Sequence, residues 1–331
     1  MILSQHVAYK YCTNKGTGSQ NPIYMKFILT LSLLCLSLCS LHAQSFTDYI
    51  RIGDSLYQAE EYHESAQAYE KAFLLEEGNA MQHYNAACSW ALSGDTIQSI
   101  HNLNLAAENG WKNVEHLQRD TDLKSIHSVR AWDNVLTKVK ANLDEYEKDF
   151  NKPLKEQLEH IYVKDQMLRQ LYAEAENKFG SESEEMSYFW QLVSEQDRKN
   201  EEEVIKIIEN HGWVGKSTVG GKANMTLWLV IQHAPLETQE KYLPVMKESV
   251  LNGESNGRHL AMLEDRILMR NDKPQTYGSQ IVTDEETGRQ KVYEVKDPEY
   301  INQRRKQVGL GPIQDYVKRW GIQWTIEQKE K

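Results

Sequence analysis

The side chains that could do chemistry are concentrated in the last third of the chain. They lie in four short segments that combine charged, amide and hydroxyl groups, which read IQHAPLETQ (231–239), LEDR (263–266), PQTYGSQ (274–280) and RRKQVGLGPI (304–313). Burying polar groups costs free energy unless they are paired. This concentration of polar groups among apolar residues predicts that the C-terminal part of the chain builds a polar site.

The cationic, amide and phenolic groups of these segments predict a pocket for a small anionic or carbohydrate-like ligand. Arginine can hold a carboxylate or phosphate through two parallel hydrogen bonds, while amides and a phenol can fix the ligand's orientation. The candidate ligand-binding residues are Gln232, His233, Asp265, Arg266, Gln275, Tyr277, Gln280, Arg304 and Arg305. We expect them to line a cleft between the helices of residues 222–270 and the ribbon that follows.

The same residues permit a catalytic alternative, a hydrolase-like enzyme. His233 would be the base, Asp265 the carboxylate that orients it, and Arg266 would stabilise an anion together with one of the two late arginines. Ser279 is a candidate nucleophile with His233 and Asp265, although it does not lie in a strand-to-helix elbow of the GxSxG type. Because no strong catalytic signature is present, a binding protein is the favoured interpretation.

A further set of polar residues lies on helical faces that are otherwise apolar. Asp165 and Arg169 have i,i+4 spacing, and Asp197 and Asn200 continue the apolar face of the next helix. Such inward-leaning groups predict a satisfied interior network that fixes how the helices pack. The chain after residue 43 has no HExxH motif and no paired cysteines, so neither a metal nor a cofactor is expected.

The elements that must position these residues are a series of helices followed by a ribbon. Pro153 predicts the start of the first helix, and apolar spacing predicts helices up to residue 175 and at 184–210, 222–233, 237–251 and 257–270. Alternating residues then predict two antiparallel strands within 277–282 and 291–295. Short helices are expected at 297–307 and after Pro312. We therefore expect a mainly α domain over residues 153–325 with one small β-hairpin.

The N-terminal half carries an internal repeat with a period of 34 residues. The matching positions are Tyr49 and His83, Gly53 and Ala87, Leu56 and Trp90, and Ala72 and Ala106. This period and its alternation of small and bulky residues resemble the tetratricopeptide repeat. We expect two such repeats over residues 44–113, a helical cap and linker over 114–152, and contact with a protein partner through the repeats.

The ordered polar motifs of the C-terminal half resemble a bacterial family known as domain of unknown function 6624. The likeness covers about residues 158–316. It is carried by Gly212-Trp213, Val219 to Gly221, IQHA, Asp265-Arg266, PQTYGSQ and the late RR…GL. The resemblance implies no established activity, substrate or catalytic residue, so it supports the domain and leaves its function open.

The start of the sequence predicts export. Met25-Lys26 precedes a short apolar run from Phe27 to Cys39, and the pattern is typical of a signal peptide cleaved after Ala43. Residues 1–24 would then be an upstream extension before the true start. The apolar run falls short of the roughly 20 residues that span a bilayer, so the processed chain is not expected to span a membrane.

Composition narrows the expected partners further. The chain has 48 acidic and 38 basic residues and a net charge of −10. Cleavage after Ala43 would remove three lysines and no acids, which leaves 35 basic residues and a net charge of −13. This acidity argues against nucleic acid, whose phosphates need a basic surface. We expect a periplasmic or extracellular protein whose one remaining cysteine, Cys88, forms no internal disulfide.

Overall fold

A computed structural model describes residues 44–330, so the expected upstream extension (1–24) and signal peptide (25–43) lie outside the described residues. The described chain is mainly α-helical and contains one two-stranded antiparallel sheet, which confirms the predicted fold class. Within residues 44–330, no helix has the length and apolar character needed to cross a membrane. The described chain divides into two compact units, residues 44–142 and 143–330.

The first unit is built from consecutive helices. They are α1 (Phe46–Gln58), α2 (Tyr62–Phe73), α3 (Ala80–Leu92), α4 (Thr96–Glu108), α5 (Val114–Arg119), a 3-10 helix (Thr121–Ile126) and α6 (Arg130–Tyr146). Side-chain oxygens accept from backbone N–H groups at several helix starts, as when Asn79 accepts from Gln82. Small buried residues such as Ala66, Ala87 and Ala106 let successive helices approach closely.

The 34-residue period of the sequence recurs in the hydrogen bonds of this unit. The Ser65 hydroxyl donates to the Gly53 carbonyl at 2.8 Å, and 34 residues later the Ser99 hydroxyl donates to the Ala87 carbonyl at 2.9 Å. Helix starts keep the same spacing at residues 46, 80 and 114, and again at 62, 96 and 130. The unit is therefore a helical repeat with a third, shortened pair. Its assignment to the tetratricopeptide family stays a prediction.

The second unit opens with six helices, and all of them except α8 contribute residues to an apolar core. They are α7 (Lys152–Gln170), α8 (Tyr172–Phe179), α9 (Glu184–His211), α10 (Lys216–His233), α11 (Leu236–Leu251) and α12 (Gly257–Arg270). Leu158, Ile161, Leu227, Ile231 and Leu263 are fully buried in that core. The apolar residues recur at helical spacing, so the polar residues between them are held at fixed positions along each helix.

Helix α10 begins earlier than the sequence predicts. Residues 215–221 were expected to connect two helices, but the helix starts at Lys216 and is kinked at Gly220, whose φ is 82° and ψ 165°. A Cβ atom at Gly220 would lie 3.0 Å from the Phe150 ring. The kink therefore needs glycine both for its positive φ and for this close approach.

The remaining residues form the hairpin and two short helices. Strand β1 (Ile281–Thr283) pairs antiparallel with β2 (Gln290–Val292), and α13 (Ile301–Gln307) and α14 (Ile313–Val317) follow. Ile301, Ile313 and Val317 form a separate small core beneath the hairpin. The strands are shorter than predicted, because side chains bind the backbone N–H groups of residues 276, 277, 279 and 280.

Candidate functional site

The polar residues predicted in the second unit fall into two groups in the structure. We call the first the His233 cluster, which comprises Asp165, Arg169, Asp197, His233 and Arg266. We call the second the Asp265 cluster, which comprises Asp265, Gln275, Gln280, Arg304 and Arg305. The first group joins residues that the sequence assigned to a structural network with residues that it assigned to a ligand pocket.

His233 is held by a buried carboxylate. Its Nδ1 lies 3.0 Å from Oδ1 of Asp165, whose side chain is 1% exposed, whereas 18% of the His233 side chain is exposed. Because an ionised carboxylate only accepts hydrogen bonds, Nδ1 must carry the proton. Nε2 of a neutral His233 then carries the lone pair, and no hydrogen bond involves it within residues 44–330.

Arg169 links two acidic residues of the His233 cluster. Its Nη2 donates to both carboxylate oxygens of Asp197, at 2.9 and 2.7 Å. Its Nη1 donates to the backbone carbonyl of Asp165 at 2.8 Å and lies 3.5 Å from that residue's carboxylate. About a fifth of each of the Arg169 and Asp197 side chains is exposed. The cluster therefore combines a buried carboxylate with charged groups that reach solvent.

The Asp165 carboxyl is stabilised in its charged form. Burial raises the pKa of this carboxyl, but the hydrogen bond and charge of His233, and the charge of Arg169, outweigh burial and hold the pKa below its usual value of 3.8. A carboxyl whose pKa falls on folding stabilises the folded state above its unfolded pKa. That stabilisation is lost as pH falls through the folded pKa.

We therefore expect the stabilisation by Asp165 to disappear in acid. The difference in free energy of unfolding between wild type and Asp165→Asn should shrink as the pH falls below about 4, where the Asp165 carboxyl takes up a proton. Urea unfolding across this range measures it. Asp144→Asn, an exposed change in the same unit, should show a small difference that does not vary in this window. A wild-type advantage that persists or grows below about pH 4 would contradict the assigned pairing.

Arg266 adds a guanidinium next to His233. Its Nη1 donates to the backbone carbonyl of Gln232 at 3.2 Å, and Gln239 donates to the same carbonyl at 2.8 Å. Burial, followed by the charges of Arg270 and Arg169, lowers the pKa of Arg266. An anion at this position would compensate the buried positive charge of Arg266 and would reduce the repulsion between the guanidiniums.

Several buried polar atoms around the His233 cluster have no hydrogen-bond partner within the described chain. They are Nε of Arg266, Nδ2 of Asn200, Oε1 of Gln232 and Oε1 of Gln239. Asn200 lies one turn after Asp197 on α9, and its amide oxygen accepts from Gln196 at 2.8 Å. Unpaired buried polar groups are costly. The interior near the His233 cluster therefore holds both donors and acceptors whose hydrogen-bonding capacity is unused among residues 44–330.

Three residues of the His233 cluster lie close enough together to be considered as ligands of a metal ion. Asp165, Asp197 and His233 each place one donor atom within 4.8 Å of the others. However, Asp197 is already bound on both oxygens by Arg169, and Nδ1 of His233 points its proton at Asp165. A divalent cation would have to displace Arg169, whereas an anion would not. The arrangement favours an anion, and the expectation of no metal and no cofactor stays a prediction.

The Asp265 cluster holds the loop of residues 275–280. Asp265 is fully buried, and its carboxylate accepts from the backbone N–H groups of Thr276 at 2.7 Å, Tyr277 at 3.0 Å and Ser279 at 3.0 Å. Burial raises the pKa of Asp265, and the three N–H donors oppose that shift. The carboxylate replaces the strand partner that this backbone segment lacks.

Two glutamines close the same loop. Gln275 accepts from the Gln280 N–H at 2.8 Å and donates to the carbonyls of Gln280 and Tyr293 at 3.0 and 2.9 Å. The Gln280 side chain donates to the Ser279 hydroxyl oxygen at 3.0 Å. Ser279 is 7% exposed, and its backbone carbonyl accepts from the Tyr316 hydroxyl. These side chains are bound within the loop.

The two late arginines bind backbone carbonyls. Arg304 donates to the carbonyls of Thr276, Lys296 and Asp297. Arg305 is 1% exposed and donates at 2.6 Å to the carbonyls of Gly311 and Tyr277. The Arg305 guanidinium also lies 4.9 Å from the centre of the Tyr316 ring. Both arginines brace the loop from the side of α13.

The structure corrects the predicted catalytic pairing. Asp165, not Asp265, binds His233, and neither Asp265 nor Ser279 shares a hydrogen bond with His233 in residues 44–330. Asp265 and the late arginines are bound to backbone groups instead. The single cleft predicted for all nine candidate ligand residues is therefore divided, with Gln232, His233 and Arg266 in one group and the other six in the loop of residues 275–280 or bound to its backbone. Their ligand-binding roles stay predictions.

The comparisons with known proteins bear on the second unit. Neither curated proteins nor solved structures give a match to the chain. The model of one protein family, described as "Family of unknown function (DUF6624)", matches residues 153–327. That range covers more than half of the chain, includes both polar clusters and confirms the resemblance that the ordered motifs indicated. No family match covers the N-terminal helical repeat. The chain belongs to the DUF6624 family.

Proposed function

We propose that the DUF6624 domain binds a small anionic ligand at the His233 cluster. The observation that carries this proposal is the buried Nε of Arg266, a guanidinium donor without a hydrogen-bond partner among the described residues. A carboxylate or phosphate oxygen would pair with it, and a ligand hydroxyl or amide would pair with the free oxygens of Gln232 and Gln239. A hydroxy acid or an acidic sugar combines both kinds of group.

The charges around Arg266 support an anion over a cation. Arg169, Arg266 and Arg270 present three guanidiniums, and burial, followed by the charges of Arg270 and Arg169, lowers the pKa of Arg266. Asp165 and Asp197 supply two carboxylates, and each is bound by a cationic or hydrogen-bonding partner. The partial exposure of His233 and Arg169 gives a ligand access from solvent. Binding should therefore be driven by charge-assisted hydrogen bonds and should weaken with salt.

Arg266→Gln tests the proposal. We expect inorganic phosphate, or members of a panel of hydroxy acids and uronic acids, to raise the melting temperature of wild type. Arg266→Gln should weaken that binding by at least about tenfold, which corresponds to about 1.4 kcal/mol. Arg258→Gln, on an exposed residue of the same helix, is the matched control. If no anion of the panel binds wild type, or if both variants bind as wild type does, the proposal is wrong.

A second candidate function is general-base catalysis on the bound ligand. The hydrogen bond from Nδ1 of His233 to Asp165 favours it, because it leaves Nε2 able to take a proton from water or from a ligand hydroxyl. Arg266 would then stabilise negative charge as the reaction proceeds. Hydrolysis of ester and phosphoester substrates by wild type, lost in His233→Gln with ligand binding retained, would support it. If wild type binds the ligand but does not turn it over, catalysis is ruled out and ligand binding remains the proposed function.

At the level of the whole protein, we propose an exported binding or scaffolding protein of the cell envelope. The N-terminal helical repeat would contact a protein partner, and the DUF6624 domain would hold the ligand. The sequence pattern of residues 25–43 supports export. Expression in a bacterial host, followed by fractionation and N-terminal sequencing, should give a periplasmic chain that begins at Gln44. A full-length chain retained in the cytoplasm would contradict export.

A further inference from the structure

The first unit contains a cavity of about 390 Å³ that the C-terminal domain does not share. It lies where the regular repeat breaks. Helix α5 ends at Arg119, and Asp120 begins a 3-10 helix in place of a longer helix. The residues that line the cavity are Asp54, Tyr57, Gln58, Tyr69, Tyr84, Asn85, Cys88, His116, Asp120 and Asp122. Its volume falls within the range of small-molecule sites.

Three carboxylates face the cavity without an ion pair to lysine or arginine. Within residues 44–330, Asp120 pairs with His116 at 3.5 Å, and neither Asp54 nor Asp122 forms any ion pair. Their partners are tyrosine hydroxyls, since Tyr69 donates to Asp54 and Tyr57 donates to Asp122. A hydroxyl satisfies a hydrogen bond but leaves the negative charge uncompensated. The cavity therefore concentrates negative potential.

Aromatic rings form the walls around these charges. Tyr69 and Tyr84 are almost fully buried, and Tyr84 is stacked on Trp111 with the ring centres 4.1 Å apart. Tyr84 also donates to Asp120 at 2.8 Å. The tyrosine rings that line the cavity place apolar surface beside the carboxylates. Carboxylates combined with tyrosine rings are suited to an organic cation that offers both N–H donors and an apolar stem.

A metal ion fits the same groups less well. Cys88, Asp120 and Asp122 place one donor atom each within 4.8 Å of one another. Burial, followed by the charges of Asp120 and Asp122, raises the pKa of the Cys88 thiol strongly, so the thiol stays protonated. Metals bind the thiolate, and one ion would fill a small part of a cavity of about 390 Å³. The aromatic walls would also have no role in metal binding.

We infer that this cavity binds an organic cation, a guanidinium or primary ammonium on an aliphatic stem. The head would lie between Asp54 and Asp122, and the stem would pack against the tyrosine rings. Such a group is supplied by an arginine or lysine side chain of a peptide, or by a free amine. The inference does not depend on the proposed anion site, which lies in the other unit and has the opposite charge.

Calorimetric titration of the full chain distinguishes these sources. The probes are agmatine and a blocked Gly-Arg-Gly peptide, with the citrulline peptide as a neutral control of the same shape. We expect saturable binding of a guanidinium probe, and binding of the citrulline peptide at least about tenfold weaker. Tighter binding of the arginine peptide assigns the site to a basic side chain. Tighter binding of agmatine assigns it to a free cation.

A double variant locates the binding. Asp54→Asn with Asp122→Asn removes two charges and keeps an oxygen that can accept from each tyrosine, so we expect at least about tenfold weaker binding. Glu76→Gln with Glu77→Gln removes two charges from an exposed turn of the same unit and should bind as wild type does. Failure of both guanidinium probes to bind wild type overturns the inference. So does equal binding of the citrulline peptide, or binding of Mn²⁺ or Zn²⁺ when neither organic cation binds.

Discussion

Replacing Asp265 with alanine is expected to lower the free energy of unfolding of the DUF6624 domain by about 3–5 kcal/mol. The substitution leaves the N–H groups of Thr276, Tyr277 and Ser279 without their acceptor in a fully buried position. It also removes a carboxylate whose charge favours the buried Arg305 guanidinium. Urea unfolding followed by circular dichroism measures the change, and hydrogen exchange of residues 275–280 should show where the protection is lost.

Two further variants test whether the loss of stability comes from the hydrogen bonds that Asp265 accepts. Asp265→Asn keeps one oxygen for Thr276 and Tyr277 but turns an NH₂ group toward the Ser279 N–H, so we expect a smaller loss of about 2–3 kcal/mol. Asp272→Asn makes the same change on an exposed residue nearby and should stay within about 0.5 kcal/mol of wild type. A stable Asp265→Ala protein that fails to bind an anion would contradict the structural role assigned to Asp265.

The second large effect is expected at Arg305. Methionine at this position keeps most of the packing volume but leaves the carbonyls of Gly311 and Tyr277 without their donor. We expect Arg305→Met to lower the free energy of unfolding by about 2–4 kcal/mol, because relief of the buried charge offsets part of the loss. The measurement is the same urea unfolding.

Lys306 provides the matched control for Arg305. It is the next residue of the same helix and is exposed, so Lys306→Met should change the free energy of unfolding by less than about 0.5 kcal/mol. Anion binding by Arg305→Met should equal that of wild type under conditions where the variant is folded. Loss of binding in the folded variant would show that Arg305 belongs to the ligand site after all.

Asp265 and Arg266 show why neighbouring residues of one motif have different roles. Successive residues of a helix point about 100° apart, so Asp265 faces the loop of residues 275–280 while Arg266 reaches the Gln232 carbonyl. The sequence motif presents them as a unit. Their separation into two clusters follows from which elements pack on each face of α12, and a single sequence does not contain that information.

The hydrogen bond between His233 and Asp165 could not be predicted from the sequence for a similar reason. Asp165 and Asp265 both lie on helical faces with apolar neighbours, and both are at least 99% buried. Asp165 precedes His233 by 68 residues, and helical spacing fixes only which residues share a face. The acidic residue that meets His233 is selected by the packing of α7 against α10, which sequence periodicity does not specify.

Features that rest on local physics were predictable. Apolar spacing predicted the main helices of the second unit, and alternating residues within 277–282 and 291–295 predicted the hairpin. The first strand begins later than predicted because the side chains of Asp265 and Gln275 accept hydrogen bonds from the N–H groups of Ser279 and Gln280. In the first unit the 34-residue period predicted two helix pairs. The third pair was missed because its first helix breaks at Asp120, where the side chains no longer follow the pattern.

The protonation of His233 provides the most direct test of the site. Long-range ¹H–¹⁵N spectra of uniformly labelled protein at neutral pH, with His233→Gln to identify the signals, report which ring nitrogen carries the proton. The Asp165 pairing predicts a proton on Nδ1, and Nε2 signals that move when inorganic phosphate or another binding anion is added, in wild type but not in Arg266→Gln. A proton on Nε2 with none on Nδ1, or signals that no anion moves, would contradict the assignment of the His233 cluster as an anion site.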